Sequence, residues 1–348
     1  MEIWGNNADS QKGGRLMIEQ TFFCIRPYCF EKRDIIKKLI NDKGFNIKKD
    51  KPVWLTEKDL RVMYAHEEPS TYFDACVHFM THGFAEVGII EGEEVISKLV
   101  KLVGHTHIPN QNDANTLRRI FGEEEPISFN GFDYYFNPLH RSSSQEEAER
   151  EIALFWTLYN RPPVETISNM MHKLYKDKNL ECVYHHHIKL AVRVGLELCE
   201  EFGGDKTVVE LACWLHDIAS LKSGTKYEHH IEGMEGAEDI LKILEYKTDV
   251  IRSVKHCIQT HRGTVPLAQM TKEAEIVCAA DGIANLRCPP LLYFFAFKIK
   301  DMEFNEGMKS IKQKLENSYN KIPHFAKEKA KQDYEDWSKL LHLLVKSG

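Results

Sequence analysis

The sequence predicts an α+β first half followed by an all-α second half. Three observations carry that expectation. At 348 residues the chain is too long for one ordinary hydrophobic core, so two domains are expected. From Glu19 to about Trp156, short apolar runs bounded by turn residues alternate with amphipathic helical stretches. Beyond Arg161-Pro162-Pro163, a break signal, every apolar segment has helical spacing.

Composition narrows the class. A chain that is 43% hydrophobic and 28% charged is that of a soluble globular protein. The net charge of -6 comes from interspersed signs, and no Lys/Arg cluster interleaves with aromatics, so no nucleic-acid partner is expected. Neither a signal-peptide core nor a membrane-length apolar window occurs, so no membrane association is expected either. The nine cysteines form no CxxC pair and sit mostly at apolar positions such as Cys76, Cys213 and Cys278. That is the usage of a reducing compartment, and a cytoplasmic location follows.

Residues 1–17, rich in Gly, Asn and Ser, read as a disordered polar leader. Residues 18–160 form the first domain, in which Thr21 to Ile25 is a short strand. Glu31 to Asp42 is an amphipathic helix stopped by Gly44, and Phe45 to Leu55 is a strand region interrupted by Pro52. Thr56 opens a helix with a capping-box pattern, since Asp59 stands three residues on. Tyr72 to Met80 continues helically to Gly83, residues 84–90 are a strand, and 93–104 a helix. Ser144 with Glu147 caps the last helix of this half.

Residues 161–180 are expected as a linker, and 181–348 as the second domain. Val183 to Phe202 has helical spacing and Gly203-Gly204 as its stop; Asp205 caps the next helix, which delivers His216 and Asp217 in its last turn. A third helix starts at His229 and His230, and a fourth carries His256 inside and His261 at its end. The fifth, from Glu273 to Leu286, is Ala-rich and apolar apart from Asp281, a carboxylate that needs a partner if buried. Residues 291–299 read as core or an interdomain seam, 307–331 as an amphipathic helix pair, and 333–344 as a terminal helix.

Imidazole nitrogens and carboxylate oxygens in such a series are what a divalent metal wants, and a metal so held lowers the pKa of its water into the neutral range. The second half therefore reads as a metallohydrolase. Its order H…HD…H…H…H…D, with VVELACWLHDIA, HIEGMEGAEDIL, VKHCIQTHRG and AADGIANL in sequence, resembles the HD-domain metal-dependent phosphohydrolases over about residues 183–290. The resemblance implies a helical bundle in which His187, His216, Asp217 and Asp281 form a four-ligand core. Further, it implies that His230, His256 and His261 are the extra ligands of members holding two ions. His185, His186 and His187 are all candidates in the first helix, and the AVRVGLEL register favours His187; the spacing to Gly233 favours His230 over His229. Asp217 would meet metal in either version. Mn, Fe, Co, Ni, Zn and Mg all suit such a donor set.

The first half resembles nucleoside diphosphate kinase from about Met17 to Tyr159, which implies a ferredoxin-like α/β sandwich. In NPLHRSSSQEEAEREIALFW, His140 falls on the family's nucleophilic histidine, Asn137 and Ser142 on its neighbours, and Glu151 on the glutamate that orients it. Arg26, in TFFCIRPYCF, stands at the phosphate-binding lysine; Tyr64 matches a phosphate-contacting tyrosine, and Tyr72 stands where a base-stacking phenylalanine is usual. GHTHIP places Thr106 on the phosphate-binding threonine and TLRRIFG places Arg118 on the second arginine, while the first arginine falls on Val100. A histidine held by a carboxylate can present its other ring nitrogen to a γ-phosphoryl group while arginines and Mg²⁺ neutralise the oxygens.

The expected whole is a two-domain enzyme of nucleotides or small phosphorylated molecules. A metal-dependent phosphohydrolase, holding two ions, follows a kinase-like domain that binds nucleotide with Mg²⁺ and self-associates into a homo-oligomer. The alternative is a kinase-like domain that binds nucleotide, or oligomerises, without turnover; weaker still is a pair of non-catalytic binding modules.

Overall fold

Phe22 and Cys24 point to one side of the first strand and Phe23 and Ile25 to the other, and all four are fully buried. A strand with both faces apolar needs a layer of helices on each side. The computed structural model supplies both layers. It describes residues 18–222, 229–262 and 269–346, without the side chains of 222–233 and 342–346. The expected leader lies outside the described residues. The chain divides after Arg161 into two units.

In the first unit, β1 (Ile18–Ile25), β2 (Asn46–Trp54), β3 (Phe84–Glu93) and β6 (Leu139–Arg141) form an antiparallel sheet of order β2-β3-β1-β6. Helices α1 (Arg33–Asp42) and α4 (Val95–Val103) cover one face through Ile36, Ile40, Leu99 and Val103. On the other face lie α2 (Glu57–Met63), α3 (Thr71–Met80) and α6 (Gln145–Asn160), burying Leu60, Met63, Phe73 and Phe155. Each of these large side chains contributes roughly 1.5–3 kcal/mol relative to exposure. This is the expected ferredoxin-like α/β sandwich.

Between α4 and α6 the chain adds α5 (Leu117–Phe121) and a hairpin of β4 (Ile127–Phe129) and β5 (Phe132–Tyr134). Pro52 does not interrupt β2: the strand is at the sheet edge, where a missing N–H costs no ladder bond. Thr56 and Asp59 make the expected capping box, and Asp59 also pairs with Arg161 at 2.8 Å.

The second unit is helical. Its first helix, α7 (Pro163–Asp177), occupies most of the stretch expected as a linker, because Ile167, Met170, Met171 and Tyr175 give it an apolar stripe to bury. Next come α8 (Glu181–Val183), a π-helical turn (Tyr184–Ile188) and α9 (Lys189–Phe202), where one helix was expected. Then follow α10 (Lys206–Leu215), α11 (Ala219–Lys222), α12 (His229–Ile243), α13 (Thr248–Thr260) and α14 (Lys272–Arg287). α14 is buried on all sides from Ile276 to Asn285, the central post of the bundle. Gly195 lets α9 close on α10: a Cβ there would lie 2.9 Å from Cys213 Sγ. Short α15 (Pro290–Tyr293) leads through a second π turn into α16 (Phe304–Asn320) and α17 (His324–Lys346), which runs unbroken where two segments were expected. Leu291, Leu292 and Phe295 line a cavity of this unit. Among the described residues no helix is long and apolar enough to cross a membrane.

Candidate active sites

In the first unit β6 pairs with β1 so that His140 stands opposite Cys24, on the side covered by α6. From α6 comes Glu151, fully buried. Its Oε1 lies 2.9 Å from His140 Nε2 and its Oε2 accepts from Ser142 Oγ at 2.7 Å. With both carboxylate oxygens accepting, Nε2 carries the ring proton and Nδ1 keeps its lone pair. The ring is further set by Tyr64, edge-on at 5.0 Å.

His140 borders a cavity of about 530 Å³ shared with Arg26, Tyr64, Tyr72, Arg118 and Arg141. Arg26 is buried, and its guanidinium donates to the hydroxyls of Tyr64 at 2.9 Å, Tyr134 at 3.1 Å and Tyr72 at 3.3 Å. Arg118 donates to the carbonyls of Thr106 at 3.0 Å and Gly104 at 3.2 Å. Burial, then Arg141 and Arg26, pull the Arg118 pKa down to about 10. These partners are neutral; the carboxylates lining the cavity are Glu67 and Glu147, the latter bonded to Ser143.

Three residues expected to contact nucleotide stand back from the cavity. Ser142 serves Glu151. Asn137 is buried, donating to the carbonyls of His107 at 2.8 Å and Tyr135 at 3.2 Å. Thr106 is tied to Asn112 and accepts from Ile108 N. Asn137 Nδ2 and the Thr106 hydroxyl thus hold the loop, while Asn137 Oδ1 is buried without a hydrogen-bond partner among the described residues.

In the second unit the π turn presents His187, α10 ends at His216 with Asp217 just beyond it, and α14 contributes Asp281. Ligand atoms of His187, His216 and Asp281 all lie within 4.8 Å of one another. Asp217 Oδ2 is 3.4 Å from His216 Nε2 and 3.7 Å from His187 Nε2. His216 Nδ1 is 2.8 Å from the Cys213 carbonyl, which fixes the tautomer and leaves Nε2 as a lone-pair donor. His261 uses Ile258 O in the same way at 2.6 Å, and its Nε2 lies 3.9 Å from Asp217. Burial, then His216, lowers the His261 pKa to about 4, so the ring is neutral at pH 7.

Lone pairs crowded this closely repel unless a cation lies among them. Without an ion, a proton does that work: against burial, which opposes it, Asp217 and Asp281 push His187 up to about 9. The two carboxyls are themselves held well below the usual carboxylate range, against burial, Asp217 by His216 and Asp281 by Lys321. Three imidazoles and two carboxylates around one point suit a divalent metal. Lys321, at the end of α16, pairs with Asp281 Oδ2 and donates to the His261 carbonyl at 3.1 Å. Gly282 permits that approach, since a Cβ there would lie 2.8 Å from Ser318 O.

One expected ligand, His256, is not among the converging side chains. His256 lines a separate cavity with Met234, Glu238 and Lys255, and its buried Nε2 has no hydrogen-bond partner among the described residues. Five residues before His261, it is turned about 140° around the helix. The side chain of His230 lies outside the described residues. A more exposed group, His172, Glu181 and His185, also gathers ligand atoms within 4.8 Å.

The central cavity of this unit, about 680 Å³, holds the His187–Asp217–His261–Asp281 group on one wall. Arg262, Lys300, Lys314 and Lys321 add positive charge, and Leu180, Leu291, Leu292 and Phe295 an apolar side.

Residues 19–160 match the family model described as nucleoside diphosphate kinase, and residues 184–286 that of the HD domain. The nucleoside diphosphate kinase of Methanocaldococcus jannaschii is 33% identical over 143 residues, which are 40% of this chain and 94% of the relative. The chain belongs to the nucleoside diphosphate kinase family. A second relative, the nucleoside diphosphate kinase of Glaesserella parasuis, is 32% identical over 144 residues, 40% of this chain and 96% of its own. Among solved structures, the nucleoside diphosphate kinase of Encephalitozoon cuniculi aligns with 26% identity and a TM-score of 0.35 over 39% of this chain and 88% of that one. A kinase-family domain and an HD domain thus share one chain.

Sequence reasoning missed Tyr134 and Arg141 in the kinase domain and Lys321 in the HD domain. Arg141 had a local signal, a cation directly after the nucleophile candidate. Lys321 had none, lying far along the chain in a Lys-rich helix.

Proposed function

We propose that the protein is a two-domain enzyme of phosphorylated substrates, a metal-dependent phosphohydrolase joined to a nucleoside diphosphate kinase-type phosphotransferase. The observation that carries the first activity is the convergence of His187, His216, Asp217 and Asp281 at the wall of a cationic cavity. These four would hold the ion, which when bound supplies Lewis-acid polarisation of a phosphoryl oxygen and a nucleophile at neutral pH. Lys321 fixes Asp281, while Lys314 and Arg262 face the oxygens of a phosphate ester. The apolar wall receives the organic part of the ester and excludes water. These four suffice for one ion; the expected second ion, which would draw on His230, His256 and His261, is tested by counting the equivalents of Mn²⁺ bound at saturation. A screen of phosphoesters with Mn²⁺, Mg²⁺, Co²⁺ and Ni²⁺ tests this reading, and no turnover with any of them overturns it.

For the kinase domain the supporting observation is His140 held through Nε2 by Glu151 beside the guanidinium groups of Arg26 and Arg118, whose own hydrogen-bond partners are neutral. Nδ1 attacks the γ-phosphorus of Mg-ATP, an N–P bond forms as the bond to the β–γ bridging oxygen breaks, and ADP leaves. Attack by the terminal oxygen of another nucleoside diphosphate then breaks the N–P bond and returns the lone pair to Nδ1. Val100, an aliphatic residue on α4, favours a second reading in which nucleotide binds without turnover. Incubation with γ-³²P-ATP separates them: acid-labile, base-stable label on the protein supports transfer, and binding without label supports regulation. Self-association through the kinase domain is part of the proposal, tested by light scattering of the purified chain.

A further inference from the structure

We propose that Arg141 is a phosphate-binding residue of the kinase-domain cavity, supplying from β6 the cation that α4 lacks at Val100. Arg141 lies directly after His140 at the end of β6, opposite Phe23. Successive residues of a strand point to opposite faces. His140 is therefore turned toward α6, and Arg141 toward the side where α4 packs on β6. From there its side chain still reaches the cavity, which both residues line. A substrate phosphate on His140 would thus meet Arg26 and Tyr64 from one side and Arg118 and Arg141 from the other.

The surroundings of Arg141 call for an anion. Its Nε is buried without a hydrogen-bond partner, as are the Nε atoms of Arg26 and Arg118. Among the described residues none of the three is ion-paired, and the bonds that Arg26 and Arg118 do make go to hydroxyls and carbonyls. Burying a charge without a counter-charge is costly. Facing charges include Glu147 and Glu151 from α6 and His66, Glu67, His105 and His107 from the loops around the mouth, Glu67 lying 3.6 Å from His66. Glu151 is committed to His140 and Ser142, and Glu147 to Ser143, so neither satisfies the guanidinium. Burial lowers the Arg141 pKa even though Glu147 and Glu151 act the other way. A polyphosphate brings the missing anion, and the planar fork of an arginine binds two of its oxygens at once.

This inference rests on the nucleotide-binding reading of the cavity, and the experiment separates the two. Binding of Mg-ATP, Mg-ADP and adenosine is measured by calorimetry for the full chain, Arg141→Ala and Arg141→Lys, with circular dichroism as a check on folding. Arg141→Ala is expected to weaken Mg-ATP by about 10- to 100-fold while adenosine is unchanged, and Arg141→Lys to recover part of the loss. A Val100→Arg change in the Arg141→Ala background is expected to restore affinity from the α4 side. Equal weakening of all three ligands would mean a merely structural residue and would overturn the proposal, as would an Arg141→Ala protein that binds Mg-ATP like the parent. If the parent chain binds neither nucleotide, the nucleotide reading itself falls and this inference with it.

Discussion

Asp217 stands between two imidazoles, and its position decides how the HD site must respond to substitution. Asp217→Ala removes one carboxylate from a set whose other members are positioned by backbone carbonyls and Lys321, so the scaffold should survive while the ion is lost. The expected outcome is at least a hundredfold loss of Mn²⁺ affinity by titration calorimetry, on the order of what removing a direct ligand should exceed given 10–100-fold for outer partners. Hydrolysis should vanish with an unchanged circular dichroism spectrum; full activity in that variant would sink the assignment. Lys321 should behave differently. Its ammonium is the permanent counter-charge of Asp281, and Lys321→Ala leaves that buried carboxylate with only the His187 imidazolium, 3.3 Å away, to balance it when no ion is bound. The metal-free variant should therefore lose about 3–5 kcal/mol in denaturant unfolding, and saturating Mn²⁺ should return much of it, because the ion replaces the missing cation. Equal destabilisation with and without metal would show that Lys321 acts only by packing.

The elements were unevenly legible in the sequence. α9, α10, α13 and α14 follow directly from apolar spacing, a Gly-Gly stop and an Asp cap, and α10 and α14 place His216 and Asp281 where the chain order suggested. The π turn at Tyr184–Ile188 was invisible, since one extra residue per turn leaves no mark on a pattern already rich in apolar positions. His256, which the resemblance grouped with His261, stands five residues earlier on the same helical run, about 140° around it, and lines a separate cavity. In the sheet, β6 has only three residues, too few for a pattern, yet it carries His140. Strand β3 offers a test at this scale. Glu86 is buried there beside Lys37 at 3.2 Å, and burial, only partly countered by Lys37, raises its pKa to about 7. A folded-state value above the ordinary one means that the folded protein binds the proton more tightly. The stabilisation is complete below the unfolded value and is lost as pH rises through about 7. The thermal midpoint of the parent should thus fall relative to Glu86→Gln between pH 5 and 8, and parallel curves would refute the assignment.

At the scale of the whole molecule, the two candidate chemistries use separate side chains, separate cavities and separate units of the chain. One depends on a lone pair of His140 and needs no resident metal in its first unit; the other depends on the His187, His216, Asp217 and Asp281 set. If each is catalysed where its residues converge, single substitutions must dissociate them. His140→Ala should abolish the acid-labile phosphoprotein formed from γ-³²P-ATP and leave metal-dependent phosphoester hydrolysis at the parent rate. Asp217→Ala should do the reverse, retaining the label while hydrolysis disappears. The informative departure is an asymmetric one. Should His140→Ala leave hydrolysis intact in the absence of nucleotide but remove a response of hydrolysis to added Mg-ATP, the kinase domain would be a regulator that senses nucleotide through the same histidine. Should both substitutions abolish both reactions without unfolding the chain, the assignment of each chemistry to its own unit would be wrong.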